Sequence, residues 1–433
     1  MDGVKFRAKH FYDRPVRFMA LAGERKVGRH SLLFRIGSCK VLIDPGMNYF
    51  GSGNGQVIGH KALNGLTCVF LTHAHIDHIG ALLEVTKTYP WVRIYATPAT
   101  KALAFSVLKM RRSHSENGVQ EAVDRIITAE YGQDINIGGN VYARFMPAGH
   151  VLGSAAILFT SPEGNYLFTG DFTTEDRGIF QPFQPPPVEV RAMVSEGSFV
   201  GLRAPSAWRE KERFMAKVKS DMGKGKKVIV AANSLSVFQE YALILPGLQR
   251  SGEMPPFLIF FNPGLEPSFE VYLNFYRTLK LAETGPSDPR GDFSLYKPGN
   301  SGPDPDLLPP FCYFASAASL RGDFPNGFAR KVLRAGGTLI VDAKYPESLL
   351  RRRLGKPELL AEQFASFGTN NHIREEDLTS LFQEMRPSLM VLVHGMASKL
   401  IRYARRFGDQ AEVPRLEKEI DLNPTFPRMV LPG

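Results

Sequence analysis

The sequence predicts an α/β fold, and three observations predict it. Up to Val200, short apolar runs of β-type residues dominate, with helical segments between them. From Trp208 onward, strand and helix patterns alternate, which argues for a parallel sheet flanked by helices. Histidines and aspartates stand directly behind several of the apolar runs, where side chains rarely serve packing alone.

The elements follow in order. LLFRI and KVLID read as two strands split by Gly37-Ser38. TCVFLTHAH reads as a strand ending on histidines. IGALLEVTKTYP has helical spacing and stops at Pro90. WVRIYATP is again a strand and ATKALAFSVLKMRRS an amphipathic helix. VYARFMPAGH, AAILFTSPEGNYLFTGDF and VRAMVSEGS add strands, with a hairpin turn at 162–165. A basic helix and a buried strand fill REKERFMAKVKSDMGKGKKVIVAANS. VFQEYALILPGLQRSG, PPFLIFFNPG and SFEVYLNFYRTLK read as helix, strand and helix. Residues 284–310, rich in Gly, Pro and Asp, form a long loop. CYFASAA, KVLRAGGTLIVDAK and the helix PESLLRRRLG continue the α/β pattern. PSLMVLVHGMASKLIRYARRFG closes it as strand, histidine turn and basic helix. No internal repeat is visible.

At 433 residues the chain holds about three domains, or one large domain and a second. Hydrophobic residues at 43% and charged residues at 22% exclude a wholly disordered chain or a coiled coil. Three cysteines without CxxC spacing exclude a disulfide scaffold and read as small apolar residues in a reducing compartment. The opening MDGVKFRAKHFYDRP has no apolar core of a signal peptide, and no run is long enough to span a membrane. The expected location is therefore cytoplasmic. A net charge of +10 favours polyanions, nucleic acid before anionic membrane. The basic runs KVKSDMGKGKK, RRRLGK, KMRRS and KLIRYARRFG supply cations, most of them as solvated faces. The glycine-rich stretch 51–60 lacks the ending of a phosphate loop and reads as a flexible loop beside the site described next.

That site is the strongest signal in the chain. LTHAHIDHIGAL places His73, His75, Asp77 and His78 just after an apolar strand. Neutral imidazole and carboxylate suit a borderline metal such as zinc. His150 in MPAGHVLGSA, Asp171 in LFTGDF and His394 in LMVLVHGMAS stand at three further strand ends. Alone, His150 would read as a core histidine and Asp171 as a turn former. Together with the first string they read as ligands for two ions.

The ordered set LTHAHIDH, AGH, TGD and LVHG resembles the metallo-β-lactamase fold. Further strings are similar to its β-CASP nuclease branch: the opening ALAGERKVGRHSLLFRIGSCKVLIDPG with Asp44, then ATPATKAL, AGHVLGSA and TGDF. VSEGSFVG resembles motif A of that branch and supplies Glu196. LVHG resembles motif C and supplies His394, a histidine that goes with RNA substrates where valine goes with DNA. FGTNNHIREEDLTSLF resembles motif B and supplies His372, with Asn370 and Arg374 in place of the usual Ser and Asp. Ser236-Val237 replace a Gly-Arg pair in the helix-leading loop, and FASAASLRGD loosely resembles the Ser-Gly-Met turn.

The resemblance implies an αββα sandwich from residues 1–204 and 370–433, with a β-CASP α/β domain inserted at 205–369. Single-stranded RNA would lie in the cleft between them. His73, His75 and His150 would hold one Zn2+; Asp77, His78 and His394 would hold a second; Asp171 would bridge. Asp77 would also orient the attacking hydroxide. His372 would act as general acid, oriented by Glu196. The implied activity is a zinc ribonuclease of the ribonuclease J and cleavage-factor type, with 3′-hydroxyl and 5′-phosphate products. The chain has no room for the C-terminal domain of ribonuclease J or for the KH extension of archaeal relatives, so dependence on a protein partner in a processing complex stays open. So do a DNA exonuclease of the same fold, a small-molecule hydrolase, and a non-catalytic RNA-binding or scaffold subunit. The full set of metal residues argues against the last, and the inserted domain and basic charge against the hydrolase. Endonuclease against 5′-exonuclease action is not separable from sequence.

Overall fold

The structure, a computed structural model, describes residues 15–47, 61–109, 115–232, 235, 237–262, 265–283, 288–295, 305–316, 323–342, 363–368 and 370–423. The glycine-rich stretch 51–60, the basic runs RRRLGK and most of KMRRS, the helix expected at 346–355, Ser236, and residues 317–322 of the loosely matched turn lie outside them.

The strands of the first half are β1 (Arg17–Ala22), β2 (Ser31–Ile36), β3 (Cys39–Ile43), β4 (Cys68–Phe70), β5 (Arg93–Ala96), β6 (Ile126–Thr128), β7 (Asp134–Gly138), β8 (Val141–Pro147), β9 (Ala155–Ser161), β10 (Gly164–Phe168) and β11 (Ala192–Glu196). Helices α1 (Ile76–Ile79), α2 (Leu82–Thr88), α3 (Pro98–Lys109) and α4 (Glu116–Asp124) lie among them. Then follow α5 (Ala207–Gly223), β12 (Val228–Ala232), α6 (Val237–Arg250), β13 (Leu258–Phe261), α7 (Glu266–Asn274), β14 (Ser294–Leu295), β15 (Phe311–Ser316), α8 (Asp323–Arg334), β16 (Thr338–Asp342) and β17 (Phe364–Phe367). The chain closes with α9 (Glu375–Met385), β18 (Leu389–Val393), α10 (Ala397–Ala404), β19 (Ala411–Glu412) and β20 (Glu419–Asp421).

Two compact units result. One comprises the described residues within 1–174, 182–203 and 372–433; the other those within 175–181 and 204–371. The first unit holds two seven-stranded sheets, ordered β20-β1-β2-β3-β4-β5-β6 and β19-β18-β11-β10-β9-β8-β7. Alternation sets their inner faces. Phe18, Phe34, Val41 and Phe70 of one sheet share a core with Phe145, Phe159, Tyr166 and Phe168 of the other. Phe34 lies 5.0 Å from Phe159 and 4.9 Å from Phe168 by ring centroids, in the tilted geometry aromatic pairs prefer. The intervening Leu42 and Val69 are buried too, so the outer face of the first sheet is covered as well. On the outer face of the second sheet, Leu158, Leu167, Met193 and Leu392 pack with Leu378, Leu381 and Phe382 of α9 and with Leu400 and Tyr403 of α10. This is a four-layer αββα sandwich.

The second unit is a six-stranded sheet, ordered β14-β13-β15-β12-β16-β17, and every pairing in it is parallel. Its strands are near-continuous apolar runs, as parallel sheets covered on both faces require. Phe311, Tyr313 and Phe328 meet on one side, and Phe214, Tyr241 and Phe367 form another cluster. Residues 175–181 belong to this unit through polar contacts. Glu175 accepts bonds from Ser206 Oγ (2.6 Å), Ala207 N (3.1 Å) and Trp208 N (2.9 Å), capping the start of α5. Arg177 pairs with Glu240 at 2.8 Å, both buried. Among the described residues no helix is long and apolar enough to cross a membrane.

Candidate metal centre

Every sequence-derived site residue falls in the first unit. The strand expected to run into the histidines is short: β4 ends at Phe70, and the chain turns out through Leu71 and Thr72. His75 then caps the single turn α1, whose first residues carry Asp77 and His78. Leaving the sheet early frees these side chains to converge instead of alternating between two faces.

His150 sits in the loop after β8. Ser154 Oγ accepts from the amides of His150 (3.0 Å) and Val151 (3.1 Å). Thr97 and Thr100 hydroxyls donate to Gly153 O at 2.7 and 2.8 Å. Gly153 has φ +79°, and a Cβ there would stand 2.6 Å from Thr100 N, so only glycine fits. Asp171 follows β10, and His394 follows β18. His394 has φ +56° and Asp44 has φ +58°. Two non-glycine residues in left-handed backbone at one centre mark strain held by the surroundings.

The ring nitrogens converge. His73 Nε2 lies 2.9 Å from His75 Nδ1, which lies 3.2 Å from His150 Nε2. Three nitrogens bound to one zinc at about 2.0–2.1 Å would stand roughly 3.3 Å apart, so this spacing fits a shared ion. Asp171 Oδ2 lies 3.8 Å from His73 Nε2, 3.8 Å from His150 Nε2 and 3.4 Å from His78 Nε2. Asp77 Oδ2 lies 3.9 Å from His78 Nε2 and 3.5 Å from His394 Nε2. Asp171 Oδ1 faces His394 Nδ1 at 3.0 Å. Asp171 thus stands between two groups, His73/His75/His150 and Asp77/His78/His394. The buried Nε2 of His78 makes no hydrogen bond of ordinary geometry. A buried polar atom without a partner, aimed at carboxylates, is what a metal ligand looks like before the ion is added.

The electrostatics agree. Burial holds His73 well below the ordinary imidazole value, helped by His78, His75 and His150. Burial takes His75 down to about 4. Both are neutral, the form that binds metal. At His78 and His394 burial opposes protonation, but Asp171 and the other facing carboxylates outweigh it and lift His394 to about 10. Burial would raise Asp77 and Asp171, yet the facing imidazoles hold both below the usual carboxylate range. Carboxylates gathered here demand positive charge, which a cation supplies.

Asp44 organises this centre from behind. Its Oδ2 accepts from His78 Nδ1 (2.8 Å) and Thr72 Oγ1 (2.7 Å), and its Oδ1 from Thr72 N (2.8 Å). Thr72 Oγ1 in turn lies 3.0 Å from His73 Nδ1. With that hydroxyl donating to Asp44, its oxygen accepts from His73. One carboxylate therefore sets the tautomers of two histidines and turns both Nε2 atoms inward. Ser198 Oγ donates to His394 O at 3.0 Å and lies 3.2 Å from its Nδ1.

Glu196 and His372 meet as well. His372 Nδ1 stands 2.9 Å from both carboxylate oxygens. Phe172 N donates to Glu196 Oε1 at 2.9 Å. The His372 ring lies 4.6 Å from that of His150 and 5.7 Å from Phe199. Arg374 binds Asp377 through Nε at 2.8 Å at the start of α9. Sequence reasoning named Asp44 without a role and missed Thr72, Ser154, Ser198 and His30. Thr72 adjoins the histidine string, but nothing in the pattern around the other three sets them apart.

Residues 25–208 match the metallo-beta-lactamase superfamily, and the αββα sandwich and the clusters of metal-type side chains agree with that match. The chain is 24% identical to the transcription termination factor FttA of Pyrococcus horikoshii over 94% of its own length and 71% of that protein's. It is 24% identical to the endoribonuclease YSH1 of Candida albicans over 92% of this chain and 52% of that one. It is 27% identical to an RNase J-like protein of Methanocaldococcus jannaschii over 55% of this chain and 56% of that one. A crystal structure of an Enterococcus faecalis V583 protein superposes with TM-score 0.63 at 14% identity, covering 94% of this chain and 100% of that one, which shows the fold alone.

Proposed function

We propose that this chain is a zinc-dependent ribonuclease that hydrolyses phosphodiester bonds in single-stranded RNA. The observation that carries the reading is the convergence of six metal-type side chains around Asp171, with the Glu196–His372 pair beside them. Relatives named as an endoribonuclease and as RNase J-like support the substrate class.

In this reading His73, His75 and His150 would hold one ion, Asp77, His78 and His394 a second, and Asp171 would serve both. Bound there, the ions would supply Lewis-acid charge and make hydroxide available near neutral pH. Asp77 orients the attacking oxygen. His372 gives the proton at Nε2 to the departing sugar oxygen, while Nδ1–H stays on Glu196. Glu196 keeps the ring in place and balances its charge. The products are a 3′-hydroxyl and a 5′-phosphate. A protein partner and a processing complex are further parts of the proposal.

The test is cleavage of labelled single-stranded RNA by the purified protein, wild type against Asp77→Ala. Linear 5′-monophosphate and circular substrates, a matching DNA and the zinc content of each sample complete it. Cutting of the circle that needs Asp77 indicates an endonuclease; cutting of the linear form alone indicates a 5′-exonuclease. Cutting of DNA alone indicates the DNA enzyme. Two bound zincs with no cutting of either would remove the nuclease reading for the isolated chain and leave a scaffold role.

A further inference from the structure

His30 lies outside the set of residues just given roles, yet it touches every member of one half of that set. Its ring is buried, with 2% of the residue exposed. The ring centroid lies 4.9 Å from that of His78 and 5.2 Å from that of His394, the latter edge-on. Its amide donates to Asp77 O at 2.7 Å, and its carbonyl accepts from Gly46 N at 2.8 Å. Asp77, His78 and His394 are the three residues assigned to the second ion. Contact with all three from one side chain and its own backbone is hard to ascribe to general packing.

The His30 Nδ1 atom lies 3.4 Å from Asp44 Oδ2. That oxygen also receives His78 Nδ1 and Thr72 Oγ1, at 2.8 and 2.7 Å. Three donors crowd one carboxylate oxygen, and the distances to His78 and Thr72 are those of hydrogen bonds, so His30, Asp44 and His78 form a hydrogen-bonded hub rather than another ion site. In the hub, His30 is the member with no other inward duty. Removing its ring would open a hole beside His78 and His394 and take one donor from the carboxylate that aims His78. His394 would feel this most, since its left-handed backbone persists only while its surroundings enforce it.

We propose that His30 is a positioning residue for the second ion: it fixes the mutual placement of Asp77, His78 and His394, and it plays no part in binding the first ion at His73, His75 and His150. This rests on the two-ion reading of the centre.

The test is a calorimetric zinc titration of the metal-free full chain, with zinc content measured after dialysis. Wild type, His30→Ala, His30→Asn and His73→Ala are compared, each checked for wild-type circular dichroism. Wild type should bind two ions. His30→Ala should bind one ion as wild type does and the other about 10–100-fold more weakly, the usual effect of losing a residue that orients a ligand. His30→Asn keeps an amide donor where Nδ1 stood and should recover most of that loss. His73→Ala should weaken the other ion instead. The proposal is overturned if His30→Ala binds both ions normally, if it weakens both equally, or if His30→Asn is no better than His30→Ala. If wild type itself takes up fewer than two ions, the two-ion reading fails in that sample, before any variant is compared, and the proposal falls with it.

Discussion

The Nδ1 atom of His372 stands 2.9 Å from each oxygen of Glu196. A ring held by both oxygens of one carboxylate cannot tilt toward either without losing the other, so its opposite nitrogen has a fixed aim. His372→Ala should lower single-turnover RNA cleavage by about 10²–10⁴-fold, the range for a general acid, with zinc content unchanged. Glu196→Gln should cost less, because the amide still reaches the ring. A cleavage rate for His372→Ala within twofold of wild type would remove the acid role.

Asp44 joins Thr72 and His78 through one carboxylate. Burial would raise this group, but His78 and His30 hold it below the ordinary carboxylate value. Asp44→Asn replaces an acceptor of several bonds by a group that is half donor. Zinc affinity, measured by competition with a chelator, should fall about 10–100-fold while far-ultraviolet circular dichroism stays as in wild type. Unchanged affinity would mean that the histidines find their tautomers without it.

Gly46 is packed where no side chain fits. A Cβ there would lie 1.7 Å from Asp77 O and 2.6 Å from His30 N. Gly46→Ala must push the Asp77 turn away from the His30 strand. The expected loss is on the order of 4 kcal/mol in urea unfolding, the exceptional end of single substitutions. A loss below about 1 kcal/mol would show that this turn yields easily, since that is an ordinary substitution.

Glu240 makes the second unit sensitive to pH. Burial pushes its carboxyl up to about 7, and Arg177 and Lys211 offset only part of that. A folded-state value above the unfolded one favours the protonated form in the native state. The stability it contributes is full below the ordinary value of 4.5 and is lost as pH rises through about 7. The urea midpoint of this unit should therefore fall between acid and neutral pH. Trp208, one of two tryptophans, can report it in a Trp91→Phe background. Glu240→Gln should flatten the slope, because the amide does not titrate. An unchanged slope would place the titration elsewhere.

The side chains that converge on Asp171 were legible because ligand chemistry allows few residue types, and those types stood behind apolar strands. The α/β alternation was legible for a similar reason: strands covered on both faces are plain apolar runs. Boundaries were less so. IGALLEVTKTYP reads as a helix from Ile79, but Ile79 ends the separate turn α1 and α2 begins only at Leu82, because Gly80 and Ala81 turn the chain between them. Helix α8 was missed, since Pro325 and Gly327 near its start weaken the pattern. His30 was illegible for another cause. A lone histidine before an apolar strand reads as core, and its partners Asp44, His78 and His394 come from three other stretches. Only the folded chain shows them together.

The parallel pairing of β11 with β18 sets Glu196 beside Val393, and the next residue is His394. A nascent chain made in order has produced His73 through Asp171, and then the whole of the inserted sheet, before β18 exists. The centre is thus closed by a late arrival that must pair with β11 after the whole inserted unit has been made. A premature stop between the end of β17 and residue 394 leaves His73 through Asp171 made but without His394, so the fold itself withholds a complete cluster from unfinished chains.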